Sequence, residues 1–416
     1  MTEDIPNSAV LRRKKLWILL SGVVIFFLTS MAKVLVPTTI FKELMQMNMP
    51  VDRIALLGAA FMYAYAASQL VMGCFSDRYG GVRILLIGGT LFASGTIAFP
   101  LMPDYCLMVL CRVICGFGAG TIFLGVAKLL NDLFPGNFSF ALGTVLLFSY
   151  LGPVTGTVPM VKLVDFIGWK AAMIAPGMVS LIPLIVIALR CRNAIAPVTG
   201  GQTLEPLFCV IKNRPQWLVC LACASVYGAY YACVGMIGQK ILTDIFSFTA
   251  SGAALCIMIL TVIVAVNNMV GNLLLKLFGG RRKAVLLLGT LFSLSGAGLG
   301  LYALNCCSGK WIFVFALILL AFPAGFFAMF SLVGKELNPP QYMAMAVAFV
   351  NFMAFVFISL YQNITGFVLK AFPPAAGSLA FPLRAYVAVY SFFLIGAIIS
   401  FAAACLLPET RDRTRN

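Results

Sequence analysis

The chain contains no histidine, and only 13 of its 416 residues are Asp or Glu. Charged residues of both signs make up 10% of it, against about 25% in an ordinary soluble domain. A water-soluble fold of this length with so few charges could not cover its apolar side chains. The missing histidines remove the side chain that titrates near neutral pH and the commonest metal ligand. The sequence has no glycine-rich phosphate loop, no hydrolase constellation and no soluble nucleotide domain of the kind an ATP-driven pump needs. No enzymatic activity, cofactor or metal is therefore expected. The 13 cysteines suggest no disulfide framework. Most, such as Cys111, Cys115, Cys220, Cys223 and Cys256, fall inside apolar runs, where cysteine behaves as a small hydrophobe.

What is present is apolar. Hydrophobic residues reach 62% and the mean hydropathy is +1.02. The runs are continuous and about 20 residues long, the length of a membrane-crossing helix; barrel strands would alternate in polarity instead. Twelve spans are expected, near 16–40, 54–75, 82–103, 106–129, 141–163, 170–190, 216–240, 251–275, 284–305, 311–334, 343–368 and 385–407. The fold class is thus an all-α integral membrane protein. The first span follows Arg12, Arg13, Lys14 and Lys15. It is too long for a signal peptide and lacks a small-residue cleavage site, so it is read as a retained helix. The longest loop divides the spans six and six. It gives an N-terminal unit 1–195, a linker 196–215 rich in Pro and Gly, and a C-terminal unit 216–416.

The net charge is +16 and the pI about 9.4. Most of the 29 Lys and Arg residues fall on the side of the N-terminus if the spans alternate, which predicts both termini in the cytoplasm. Trp17, Trp169, Trp217 and Trp311 each begin a span, where an indole prefers the interface. The basic residues are scattered over short loops, so nucleic acid is not an expected partner. The bilayer and a small-molecule substrate are, and a monomer in a cell (cytoplasmic or inner) membrane is the expected form.

After the second span come Gly73, Asp77, Arg78, Gly80 and Arg83. Their order resembles the loop motif of the major facilitator superfamily between its second and third helices. A weaker echo follows the eighth span: Gly271, Lys276, Gly279, Gly280, Arg281, Arg282 and Lys283, with Leu275 where an acid would stand. Arg112, Gly116, Gly118 and Gly120 resemble the family's fourth-helix motif. Gly152 and Pro153, with Gly143 and Gly156, resemble the fifth-helix motif of its exporters, with Thr157 in place of the last glycine. The resemblance implies two six-helix bundles and alternating access. It also implies a gating role for Gly73, Asp77, Arg78, Gly80, Arg83, Gly152 and Pro153, and a second latch weakened by the missing acid.

Within the spans the uncompensated charges are positive: Lys33 in the first and Arg112 in the fourth. An ionisable group inside a span is a functional candidate. Two cations without acids suit an anionic substrate, although Lys33 could also snorkel to headgroups and Arg112 could bind backbone carbonyls. Without a carboxylate or histidine relay, uniport or exchange is expected ahead of carboxylate-driven symport. The stretch from Tyr63 to Met72 resembles the organophosphate and anion transporters of the superfamily, which hold phosphate with basic residues on helices one and seven. Here Lys33 falls about one turn later, and the seventh span carries Tyr227, Tyr230 and Tyr231. The expected binding residues are therefore Lys33, Tyr65, Gln69, Arg112, Tyr227, Tyr230 (or Tyr231) and Asn351. Asn267, Asn268, Gln362 and Asn363 are further polar groups within spans. The expected function is transport of a small organic anion or zwitterion. An exporter of amphipathic compounds, or a ligand sensor without flux, stands as the alternative.

Overall fold

A computed structural model describes residues 8–79, 81–133, 141, 144–145, 148–149, 151–190, 205–306, 309–375 and 379–410. Within these, the side chains of 8–15, 37–38, 73–79, 131–132, 268–269, 271–272 and 344 lie outside the description. The elements are helical throughout the described residues. In chain order the membrane helices are α1 (Ser8–Val34), α2 (Val51–Tyr79), α3 (Gly81–Ala98), α4 (Tyr105–Leu133), α5 (Leu151–Thr155 and Val158–Ile167) and α6 (Trp169–Arg190). The second set comprises α7 (Arg214–Ala232), α8 (Ala250–Leu277), α9 (Arg282–Cys306), α10 (Lys310–Ala321 and Phe327–Glu336), α11 (Met343–Ala371) and α12 (Leu383–Leu406). Eleven of these helices are long and apolar enough to cross a membrane. The remaining one, α5, is described in pieces joined by a turn at Gly156–Thr157. With twelve crossings the two termini share a face, called here the termini face; the opposite one is the far face.

Local sequence accounts for the ends. Pro215 sits in the first turn of α7, where its missing N–H costs nothing. The Thr249 side chain accepts from the Gly252 N–H and caps α8. Gly279 and Gly280, at φ 61° and 82°, take the chain out of α8 into the left-handed region that favours glycine. Pro176 and Pro183 lie within α6, as membrane helices tolerate. The seam between α3 and α4 is built from glycines. A Cβ on Gly81 would stand 2.8 Å from the Leu129 N, one on Gly95 2.7 Å from the Cys115 N, and one on Gly125 2.7 Å from the Leu85 N. In lipid, where the apolar effect between helices is weak, such close backbone approach is what holds helices together.

Two departures from regular helix matter for the site. Beyond α1 the chain runs as a π-helical turn over Leu35–Thr39, and beyond α7 as another over Cys233–Ile237. The two segments touch each other on the far side of the molecule. Between the two sets of six helices, α2 packs along α11 and α5 against α8.

On the termini face the basic run after α8 has its acids supplied from a distance. Arg282 Nη2 donates to Glu336 Oε1 at 3.0 Å. Glu409, beyond α12, accepts from the Arg282 N–H at 2.9 Å and the Lys283 N–H at 3.3 Å, a carboxylate on a helix N-terminus. The Thr410 hydroxyl donates to Glu336 Oε2. The absent acid at Leu275 thus leaves Arg282 engaged, with Glu336 and Glu409 as its partners.

Candidate functional site

A cavity of about 170 Å³ lies between the two sets of helices. Helix spacing explains its walls. Phe26, Ser30 and Lys33 follow one another on one face of α1; Tyr65 and Gln69 do so on α2, Tyr227 and Tyr231 on α7, and Asn351, Phe355 and Ile358 on α11. Phe123 of α4, Ser149 and Pro153 on the α5 side, Val264 of α8, and Ala324 and Phe327 of α10 close it. The break in α10 at Phe322–Phe326 is held from α8, where the Asn267 side chain donates to the Phe322 carbonyl at 3.1 Å.

Among the described residues, Lys33 is the one cation that lines the cavity, and no carboxylate does. Its ammonium stands 4.3 Å from the centre of the Tyr65 ring and 5.1 Å from that of Phe355. Both distances are within the range where a ring face attracts a cation. Tyr65 and Phe355 pack on each other with centroids 4.5 Å apart, so the two rings form one wall. Rings stabilise a cation without neutralising it, which leaves the positive charge directed at the cavity. Below it, toward the termini face, the Asn351 amide donates to the Gln69 side-chain oxygen across the α2–α11 seam. Tyr227 rests edge-on against Phe327 and Phe330, at 5.6 and 6.0 Å.

Of the expected binding residues, Lys33, Tyr65, Gln69, Tyr227 and Asn351 come together in this cavity. Arg112 and Tyr230 are not among its lining. Arg112 is 3% exposed. Its Nε donates to the Leu57 carbonyl at 3.1 Å and its Nη2 to that of Ala32 at 3.4 Å, while Phe61 and Phe99 flank the guanidinium at 4.5 and 5.8 Å. It fastens α4 to α1 and α2. Tyr230 turns into the helix packing, and its neighbour Tyr231, 5.1 Å away between ring centres, takes the cavity position. Phe26, Ser30, Phe123, Phe327 and Phe355 escaped the sequence reading. The spacing of Phe26 and Ser30 ahead of Lys33, and of Phe355 after Asn351, carried the signal for three of them.

Among the residues expected to gate, Pro153 lines the cavity and Gly152 brings α5 against α1, where a Cβ would stand 2.7 Å from the Met31 N. Arg83 is exposed at the start of α3. The backbone of α2 is helical through Tyr79, but the side chains of Gly73, Asp77 and Arg78, and the whole of Gly80, lie outside the described residues, as does that of Asn268.

Several known proteins are similar to this chain. A probable sulfoacetate transporter of Cupriavidus necator is 26% identical over 33% of this chain and 32% of its own length. A probable chloroplastic anion transporter of Oryza sativa is 22% identical over 46% and 36%. Multidrug resistance protein 3 of Bacillus subtilis is 31% identical over 28% and 23%. The matches thus span about a third or less of each relative's length. In fold the likeness extends over nearly everything. The crystal structure of a bacterial homologue of the human lysosomal transporter Spinster superposes with a TM-score of 0.74 at 16% identity, covering 95% of this chain and 98% of that one. The nucleoside transporter NupG does so with 0.74 at 15% identity, covering 95% and 99%. Residues 18–361 match the family model itself, and the chain belongs to the Major Facilitator Superfamily of membrane transporters.

Proposed function

We propose that this transporter carries a small organic anion or zwitterion, with the carboxylate or phosphate-like end held by Lys33. The observation that supports this reading most is that, among the described residues, the cavity is lined by one ammonium and no acid. A cation there with no partner of opposite charge is costly in a low-dielectric setting, and an anionic ligand offsets that cost. The Gln69 and Asn351 amides and the Tyr227 hydroxyl supply further polar contacts on the same cavity. The size favours a small molecule, since a cavity of about 150 Å³ holds benzene. Two of the relatives are named for anions, in keeping with this chemistry.

In the same proposal, both termini lie in the cytoplasm of a cell whose plasma membrane holds the protein as a monomer. Residues 1–195 and 216–416 rock as two units about the linker 196–215. Substrate then reaches the cavity from one face at a time.

A thermal-shift screen of the purified protein against sulfonates, carboxylates, phosphates, amino acids and cationic drugs tests the class, since a ligand selective for the folded state raises its stability. Small anions are expected to stabilise, and Lys33→Ala to abolish the shift while leaving the unliganded midpoint in place. A charge-assisted hydrogen bond contributes about 1.5–3 kcal/mol, so affinity should fall roughly 10- to 150-fold. Lys33→Arg should keep part of it. Stabilisation by cationic drugs alone, or an anion response indifferent to Lys33→Ala, refutes the reading.

A further inference from the structure

The cavity face of α11 does not end at the cavity. Asn351, Phe355 and Ile358 line it, and the same helical spacing continues through Gln362 and then Thr365 toward the far face. Both side chains are fully enclosed, at 2% and 0% exposure. The Gln362 Oε1 and the Thr365 hydroxyl have no hydrogen-bond partner among the described residues. Many buried helical hydroxyls here do find a partner: Thr96 bonds the Phe92 carbonyl, Thr290 that of Leu286 and Ser359 that of Phe355 on their own helices, and Ser400 bonds the Leu221 carbonyl across to α7. An enclosed polar atom without a partner costs about 1–3 kcal/mol, and membrane helices seldom carry two on adjacent turns of one face without a use for them.

We infer that Gln362 and Thr365 form a second polar station of the transport route, closed off in this conformation and wetted when the far side opens. The inference rests on the alternating-access part of the proposed function. The neighbouring residues on either side point elsewhere. The Asn363 amide meets the Tyr63 hydroxyl of α2 at 3.4 Å, and Tyr361 packs on Phe392 and Phe393 of α12 at 4.7 and 5.8 Å. The strip between these two contacts is left to face the seam of the two helix sets. The far-side closure of that seam is made by the touching π-helical turns after α1 and α7, and such turns recur where helices bend for function. The station carries an amide oxygen and a hydroxyl but no charge. It suits a neutral hydrogen-bonding part of the substrate, or its hydration water, passing beyond the ammonium of Lys33.

The test is thiol accessibility in sealed vesicles with the far face outward. An impermeant anionic methanethiosulfonate is the probe, and labelling is read at each peptide by mass spectrometry because Cys106 and Cys306 are natively exposed. Gln362→Cys and Thr365→Cys are expected to react about tenfold faster than Ser293→Cys, a buried position of α9 held against Ser225 of α7, through a minor far-open population. Equal, background-level rates at all three overturn the inference, provided Asn351→Cys reacts in vesicles of the opposite orientation, with the termini face outward, and so reports a folded cavity. As a second arm, Gln362→Leu with Thr365→Val should leave the thermal midpoint unchanged or higher; a lowered midpoint shows the two groups to be structural and overturns it too. Neither arm uses a substrate, so failure of the anion reading at Lys33 and failure of this station are read separately.

Discussion

Arg112 and Lys33 lie in the same half of the fold in different surroundings. The guanidinium of Arg112 is fixed by the carbonyls of Leu57 and Ala32 and by two rings, so removing it unpairs two buried acceptors and opens a void. Arg112→Ala should destabilise the protein by about 2–4 kcal/mol, read as a fall in the thermal midpoint of the detergent-solubilised protein with or without ligand. If the midpoint holds and only ligand binding is lost, Arg112 is a binding residue after all. Sequence placed both cations within spans correctly, because a charge in an apolar run is conspicuous. It did not separate their surroundings, because these depend on how each helix is rotated about its own axis, and an evenly apolar helix gives little sign of rotation. The choice between Tyr230 and Tyr231 turns on the same 100° step. Lys33 was legible by its charge, and Phe26 and Ser30 ahead of it could have been found by helical spacing, while Phe123 and Phe327 are indistinguishable by sequence from rings that face lipid.

At the scale of elements, the spans themselves were the most legible feature, since length and hydropathy in lipid leave few alternatives. The irregular turns were not. The π-helical segments at Leu35–Thr39 and Cys233–Ile237 touch each other although far apart in the chain, and Pro37, which has no N–H for the helical ladder, lies within the first. The acids that engage the basic run before α9 were equally hidden: Leu275 stands where a local acid was looked for, and the carboxylates come from the end of α10 and from beyond α12. Glu336 is buried, its side chain 3% exposed, against 18% for that of Arg282. Breaking one side of such a pair costs about 3–5 kcal/mol when fully buried and less here, where Arg282 keeps some solvent. Glu336→Gln should therefore loosen the segment at Glu409–Thr410 and fray the first turn of α9. Hydrogen exchange at Arg282, Lys283 and Thr410 amides should speed up, with the cavity helices unchanged; protection equal to the parent would show the cluster to be incidental.

At the scale of the whole molecule, the contacts between α2 and α11 form an ordered series from the far face inward. Asp52 pairs with Lys370 at 2.8 Å, Tyr63 meets Asn363, and Gln69 meets Asn351 at the cavity. Gly366 lets the two helices close at the outermost level, where a Cβ would crowd the Asp52 Cα at 3.3 Å. In the alternating access proposed above, opening the far side would have to part this series from its outer end, with the Asp52–Lys370 pair first. Lys370 is 59% exposed at its side chain and Asp52 14%, so the pair contributes no more than about 1 kcal/mol. A bias of that size still changes the far-open population up to about fivefold. Lys370→Ala should accordingly speed thiol labelling at Gln362→Cys by about two- to fivefold, and high salt should produce part of the same effect in the parent by screening. The charge reversal Asp52→Lys with Lys370→Asp should bring the rate back toward the parent value, because attraction across the seam depends on opposite signs and not on which helix carries which. If the reversed pair labels as fast as Lys370→Ala, the far face is held by helix packing at Gly366 and not by charge.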